Sequence, residues 1–209
     1  MASLYLYSAT ALAGEVALVT GASRGIGAAI LEALAGSGAT VIGTATSEAG
    51  AQAITARIVE LGATGHGEVL DVRDAARSEA VVDRITTEFG KLSVLVNNAG
   101  ITRDTLAMRL KDDDWAAVLD TNLSAAFRLI RSALRPMMKA KYGRIISISS
   151  VVAASGNAGQ VNYAAAKAGL EGMSRALARE VGSRGIPIHY TAADALHDVA
   201  MVDKLCSKS

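Results

Sequence analysis

The sequence predicts an α/β fold in which a parallel sheet is wound on both faces by helices. Three observations predict it. Short apolar runs at residues 16–20, 40–44, 68–72, 92–97 and 143–149 alternate with longer helical stretches along the chain, and repeated strand–helix units fold as a parallel sheet through right-handed crossovers. A glycine turn of the form Gly21-x-x-x-Gly25-x-Gly27 stands between the first of these runs and the helix that follows it. The chain has 209 residues, 51% of them hydrophobic and 20% charged, which suits one large core with charged helices outside. Together these predict a doubly wound dinucleotide-binding sheet of the Rossmann type, as a single domain over residues 1–209.

Taken in order, residues 16–20 (Val-Ala-Leu-Val-Thr) are rich in β-branched residues and read as a buried strand. The glycine turn follows at once and a helix over residues 28–34 comes next. Strand, turn and helix are the setting in which glycines let the backbone approach a pyrophosphate and helix-start N–H groups receive its charge. Residues 40–44 form the second strand and 48–61 a helix. Residues 68–72 form the third strand, and Asp74 caps a helix running to Phe89, since its carboxylate can accept first-turn N–H groups. The fourth strand spans 92–97. Residues 112–141 read as mainly helical, with acids near the start and bases near the end, as the helix dipole favours. A fifth strand covers 143–149 and a long helix 162–184. The glycine turn, residues 97–100 and Ser150 all fall at strand carboxyl ends, where such sheets hold ligands.

Tyr163 and Lys167 lie four residues apart and so share a helix face. A free phenol has a pKa of about 10, and a nearby ammonium pulls it down. Bringing it to about 7 requires roughly 4 kcal/mol, at about 1.36 kcal/mol per unit. A tyrosine so acidified exchanges protons near neutral pH, where general acid–base catalysis works best. The end of the second strand carries Thr44-Ala45-Thr46-Ser47 in place of an acid, and Arg24 supplies a cation in the glycine turn. Neutral hydroxyls with a cation suit NADP rather than NAD.

With these motifs in this order, the chain resembles the short-chain dehydrogenase/reductase family. Thr20 to Gly27 is similar to its cofactor loop, Asn97-Asn98-Ala99-Gly100 to its fourth-strand motif, and Asn122, Ser150, Tyr163 and Lys167 to its catalytic positions. The spacing of thirteen residues between Ser150 and Tyr163 matches the family and selects Ser150 over Ser149. Within the family the stretches 43–48, 97–104 and 156–170 most resemble bacterial 3-oxoacyl-(acyl-carrier-protein) reductases. The resemblance implies reduction of a 3-oxoacyl thioester, linked to acyl carrier protein or to coenzyme A, to its 3-hydroxyacyl form. It assigns Gly21, Ala22, Ser23, Arg24, Gly25, Ile26, Gly27, Thr46, Asp71, Val72, Asn98, Tyr163 and Lys167 to NADP. Asp71 would receive the adenine amino group, and Asn122 would anchor a water relaying protons to Lys167. A homodimer through the two long helices, 112–141 and 162–184, is also implied.

The likeness stops near Ile186. The family continues with a strand ending in Asn-x-x-x-Pro-Gly, whereas this chain continues with Pro187-Ile188-His189-Tyr190. Residues 188–191 are expected as a short sixth strand and 192–205 as a helix in an atypical tail, 187–209. The seventh strand and substrate loop are expected to be missing, as in a truncated or frame-shifted reductase. The alternative reading is therefore a catalytically impaired nucleotide-binding or assembly module, or a reductase of acyl-CoA or other ketones. Residues 1–13 lack a basic start, make a poor signal peptide, and read as a short leader, loose over 1–11. A net charge of +1 gives no electrostatic case for nucleic acid or an anionic membrane. No apolar run approaches the roughly 20 residues of a membrane span. The single cysteine, Cys206, fits a reducing cytoplasm. His189, His197 and Cys206 match no standard zinc spacing, so no metal is expected.

Overall fold

Residues 8–192 are described in the computed structural model of this chain. They contain six strands, β1 (Val16–Val19), β2 (Thr40–Ala45), β3 (Gly65–Val69), β4 (Val94–Asn97), β5 (Arg144–Ser149) and β6 (Ile188–Ala192). All pairings are parallel, in the order β3-β2-β1-β4-β5-β6. The order reverses between β1 and β4, so a crevice opens beyond their carboxyl ends. Alternate residues of each strand feed two cores. Ala17 and Val19 of β1 face one, with α1 (Gly25–Gly36) and α2 (Glu48–Glu60). Val16 and Leu18 face the other, with α3 (Ala75–Phe89) and α5 (Ala125–Ala140). Apolar residues of α5 recur at 126, 129, 130, 133 and 137, the stripe a helix needs to cover a sheet.

The strand expected at 68–72 is corrected to Gly65–Val69. Its residues, Gly-His-Gly-Glu-Val, are poor strand formers, and packing overrides that preference. A side chain at Gly67 would occupy the place of the Ala51 carbonyl of α2, so only glycine lets α2 sit this close. In consequence Asp71 and Val72 lie in the loop beyond β3, as a strand-end ligand site requires. The first helix begins at Gly25, not Ala28, which puts two of the three turn glycines at its amino end. Of the leader expected to be loose over 1–11, residues 8–11 are exposed. Leu12 is buried in the core and its N–H donates to the Ser37 carbonyl at 2.8 Å, because its side chain covers the joint between α1 and β2.

The long helix expected over 112–141 is α4 (Asp112–Leu119), a π-helical turn (Asp120–Ser124) and α5 in succession. Asp74 caps α3 as expected, accepting from the Arg77 N–H at 3.0 Å. A short helix, α6 (Val152–Ser155), follows β5, and the long helix α7 runs Val161–Val181 with a 3-10 turn to Arg184. β6 extends one residue past the expected strand. Apart from Ala192, which ends β6, the helix expected over 192–205, like His197 and Cys206, lies outside the described residues.

Candidate active site

The glycine turn is shaped by its neighbours. Gly27 lies so close to the Gly21 carbonyl and the Asn98 amide that a Cβ there would collide with both. Thr20 organises the turn. Its hydroxyl accepts from the backbone N–H groups of Asn98 and Ala99, each at 3.0 Å, and donates to the Val96 carbonyl. The Asn98 side chain donates to the carbonyls of Thr20 and Gly21 at 2.9 and 3.0 Å, and the Gly21 N–H donates to the Thr44 hydroxyl at 3.2 Å. The ends of β1, β2 and β4 are thereby locked into one cradle. Gly25 has φ +58, and a Cβ built there meets nothing, so the amino end of α1 faces open space.

That space is a cleft of about 510 Å³ floored by Gly21, Ser23, Arg24, Gly25 and Gly27, and walled by Thr46, Asp71, Val72 and Asn98. Beside it lies a second lobe of about 490 Å³ that holds Ser150, Tyr163 and Lys167, and both lobes share Arg24, Ile26 and Asn98. An open glycine cradle, helix-start N–H groups, the Arg24 cation and threonine hydroxyls fit the phosphates and sugars of a dinucleotide.

In the second lobe Lys167 is buried. Its ammonium donates to the Ile148 carbonyl at 2.6 Å and lies 5.6 Å from the centre of the Tyr163 ring. Burial lowers its pKa to about 8. Tyr163 departs from expectation: its phenol pKa is raised, not lowered. Half-burial is the main cause, a hydrogen bond with Ser150 pulls the other way, and the Asp104 carboxylate pushes it up further. Lys167 is not among the causes of this shift, and its ammonium is directed at the Ile148 carbonyl. Ser149 and Ser150 are sorted by their partners. Both line the second lobe, but the Ser149 hydroxyl donates to Glu171 at 2.7 Å, while the Ser150 hydroxyl accepts from the Val152 N–H at 3.3 Å.

The profile of the family described as short chain dehydrogenase matches residues 15–208. The chain belongs to the short-chain dehydrogenase family. Similar curated members include the 3-oxoacyl-(acyl-carrier-protein) reductase FabG of Escherichia coli (strain K12), 60% identical over 179 residues that cover 86% of this chain and 72% of the relative. The enzyme of the same name from Vibrio cholerae serotype O1 is 57% identical over 181 residues, covering 87% and 73%. A crystal structure of a metagenomic short-chain oxidoreductase in complex with NADP superposes with a TM-score of 0.89 at 32% identity, over 95% of this chain and 93% of that one.

Within this short-chain dehydrogenase the structure gathers most of the expected site residues around the one cleft. Ser23, Arg24, Gly25, Ile26, Thr46, Asp71, Val72 and Asn98 all border it. Ala22 does not: its side chain is in the core and its N–H donates to the Thr44 carbonyl at 2.8 Å, so it holds the turn from behind. Asp71 reaches the cleft already paired with Arg73, whose guanidinium lowers its pKa. The Asn98 amide is committed to the glycine turn. Asn122 sits in the π-helical turn, where its amide donates at 2.9 Å to both Ile101 and Val118 carbonyls. Its Oδ1 is buried without a partner among the described residues and abuts Gly100. Sequence reasoning named Thr20 and Thr44 but missed their bracing roles, and it missed Glu171 altogether. Thr20 and Thr44 stand at strand ends flanking the motifs, but no local spacing distinguishes a bracing hydroxyl from any other.

Proposed function

We propose that this short-chain dehydrogenase reduces a 3-oxoacyl thioester carried on acyl carrier protein to the 3-hydroxyacyl form, using NADPH, in the cytoplasm. The observation that carries this reading is the adjacency of the two lobes: the glycine cradle and the Ser150–Tyr163–Lys167 cluster lie side by side, with Arg24, Ile26 and Asn98 lining both. The identity to 3-oxoacyl-(acyl-carrier-protein) reductases over most of the chain supports the substrate class. The residues at the cradle would hold the cofactor: Gly21, Gly25 and Gly27 at the pyrophosphate, Arg24 and Thr46 at a 2′-phosphate, and Asp71 and Val72 at the adenine.

When bound, NADPH supplies the hydride. The Ser150 hydroxyl donates a hydrogen bond to the substrate carbonyl oxygen, which gains charge as reduction proceeds. Tyr163 gives that oxygen its proton. A phenol whose pKa is raised is fully protonated near neutral pH, which is the form a reduction consumes. Lys167, with a pKa of about 8, changes charge close to neutrality and can return a proton to the site. Asn122 offers a buried acceptor beside the cleft wall for a proton relay. Pairing of two copies through α4–α5 and α7 completes the reading.

The test is NADPH oxidation by the purified chain with acetoacetyl-acyl carrier protein, run beside Tyr163→Phe. Turnover in the parent and its loss by a factor of about 10² or more in Tyr163→Phe supports the proposal. A parent rate no higher than the Tyr163→Phe rate refutes it, and NADPH binding without turnover would leave a nucleotide-binding module. Faster turnover of the coenzyme A thioester would reassign the carrier.

A further inference from the structure

One side of the catalytic lobe is held by a row of α7 residues facing the end of β5. Tyr163, Lys167 and Glu171 follow at intervals of four, so their side chains share a helix face. They adjoin three consecutive residues at the strand end. Lys167 donates to the Ile148 carbonyl, Glu171 accepts from the Ser149 hydroxyl, and Tyr163 lines the same lobe as Ser150. The Ser149–Glu171 separation of 2.7 Å falls in the range of charge-assisted hydroxyl–carboxylate bonds. Ser149 is buried, so this bond forms away from competing water.

Glu171 is itself braced. Arg175, one turn further along α7, lies 3.8 Å from its other carboxylate oxygen. Arg175 also donates to the Tyr190 hydroxyl of β6 at 3.1 Å and lies over its ring. The series Ser149, Glu171, Arg175 and Tyr190 ties the carboxyl ends of β5 and β6 to α7, one turn beyond the reacting groups.

We propose that Glu171 is a positioning residue: by holding the Ser149 hydroxyl it fixes the peptide that carries Ser150, and so keeps the Ser150 hydroxyl beside the Tyr163 phenol. This inference rests on the reductase reading of the same site. Ser150 follows directly on Ser149, the last residue of β5, so a displacement that frees Ser149 also shifts the peptide carrying Ser150.

Glu171→Ala, Glu171→Gln and Ser149→Ala in the full chain test it. Glutamine keeps an oxygen that can accept from Ser149 and removes the charge. Glu171→Ala is expected to lower kcat by about tenfold and to leave the NADPH dissociation constant within about twofold. Glu171→Gln restores kcat to within about threefold of the parent. The double variant is no slower than Glu171→Ala alone, because both changes delete the same bond. A parent-like kcat in Glu171→Ala, an equal loss of NADPH affinity, or additive single effects overturns the proposal. If Glu171→Ala does not fold, Ser149→Ala supplies the same reading by removing the donor. Crystal structures of the variants test positioning without turnover: Ser150 leaves Tyr163 in the alanine variants and stays in Glu171→Gln. An unmoved Ser150 in Glu171→Ala overturns the proposal. Absence of NADPH oxidation by the parent would sink the reductase reading, and the crystallographic comparison then decides the positioning role alone.

Discussion

Lys167→Met reads out the cost of keeping an ammonium inside this domain. Burial takes the lysine pKa from 10.5 to about 8, a depression of about 2.5 pH units, so at about 1.36 kcal/mol per unit the charged form is disfavoured by roughly 3 kcal/mol near pH 7. Methionine has similar reach and no charge, which removes that penalty. It also removes the 2.6 Å bond to the Ile148 carbonyl, and a hydrogen bond from a charged donor contributes about 1.5–3 kcal/mol. The expected balance near pH 7 is a gain on the order of 1 kcal/mol for Lys167→Met, or about 2–4 °C in Tm, together with loss of turnover. Stability gained by emptying a working site is a familiar trade.

The pH dependence is the sharper measurement. Between about pH 8, where the folded lysine releases its proton, and about 10.5, where the unfolded one does, the unfolded chain binds more protons. Parent stability therefore rises with pH across that window relative to Lys167→Met, by roughly 3 kcal/mol in all. Below it both states are charged and the penalty is present in full. Urea titrations of parent and variant at several pH values, followed by circular dichroism, give the difference directly. A difference that stays flat across the window would refute the reasoning, because it would mean that burial does not depress this lysine.

Gly27→Ala should abolish NADPH binding, measured by calorimetry, since its methyl group would collide with the Gly21 carbonyl and the Asn98 amide and force the cradle apart; retained affinity would mean that the turn can shift. Arg24→Ala should weaken NADPH by about tenfold, some 1.4 kcal/mol, and leave NADH nearly unchanged; an equal loss for both cofactors would remove Arg24 from 2′-phosphate recognition. Asp104→Asn should lower the Tyr163 pKa, because burial and the Asp104 charge both raise it and only the second is removed. The alkaline limb of the reduction rate, where the phenol proton is lost, then moves to lower pH, and an unmoved limb would show that Asp104 does not act on the phenol.

Much of the cleft was legible along the chain. The glycine turn between strand and helix, the four-residue step from Tyr163 to Lys167, and Asp74 at the head of α3 are local patterns. Local backbone geometry translates such spacings directly into shared faces and caps. Where local preference and packing disagreed, the sequence misled. The third strand, expected at 68–72, lies at Gly65–Val69, and its glycines answer to tertiary neighbours: Gly67 to the Ala51 carbonyl of α2 and Gly65 to the Val41 backbone of β2. The π-helical turn that presents Asn122 has no signature in residues 120–124, and the packing of Leu12 under α1 is invisible from the leader's composition.

The sequence by itself determined which groups exist and in what order the sheet delivers them: a glycine cradle, a serine, a tyrosine and a lysine at strand and helix positions that converge. The tertiary structure alone decided their states. It buried Lys167 and pointed its ammonium at Ile148, raised rather than lowered the Tyr163 pKa, and committed the Ser149 hydroxyl to Glu171. The physical reason is that desolvation and charge act through space. A residue's ionisation depends on what surrounds it in three dimensions, and its neighbours there, from Asp104 to Glu171, lie dozens of residues apart or on other elements.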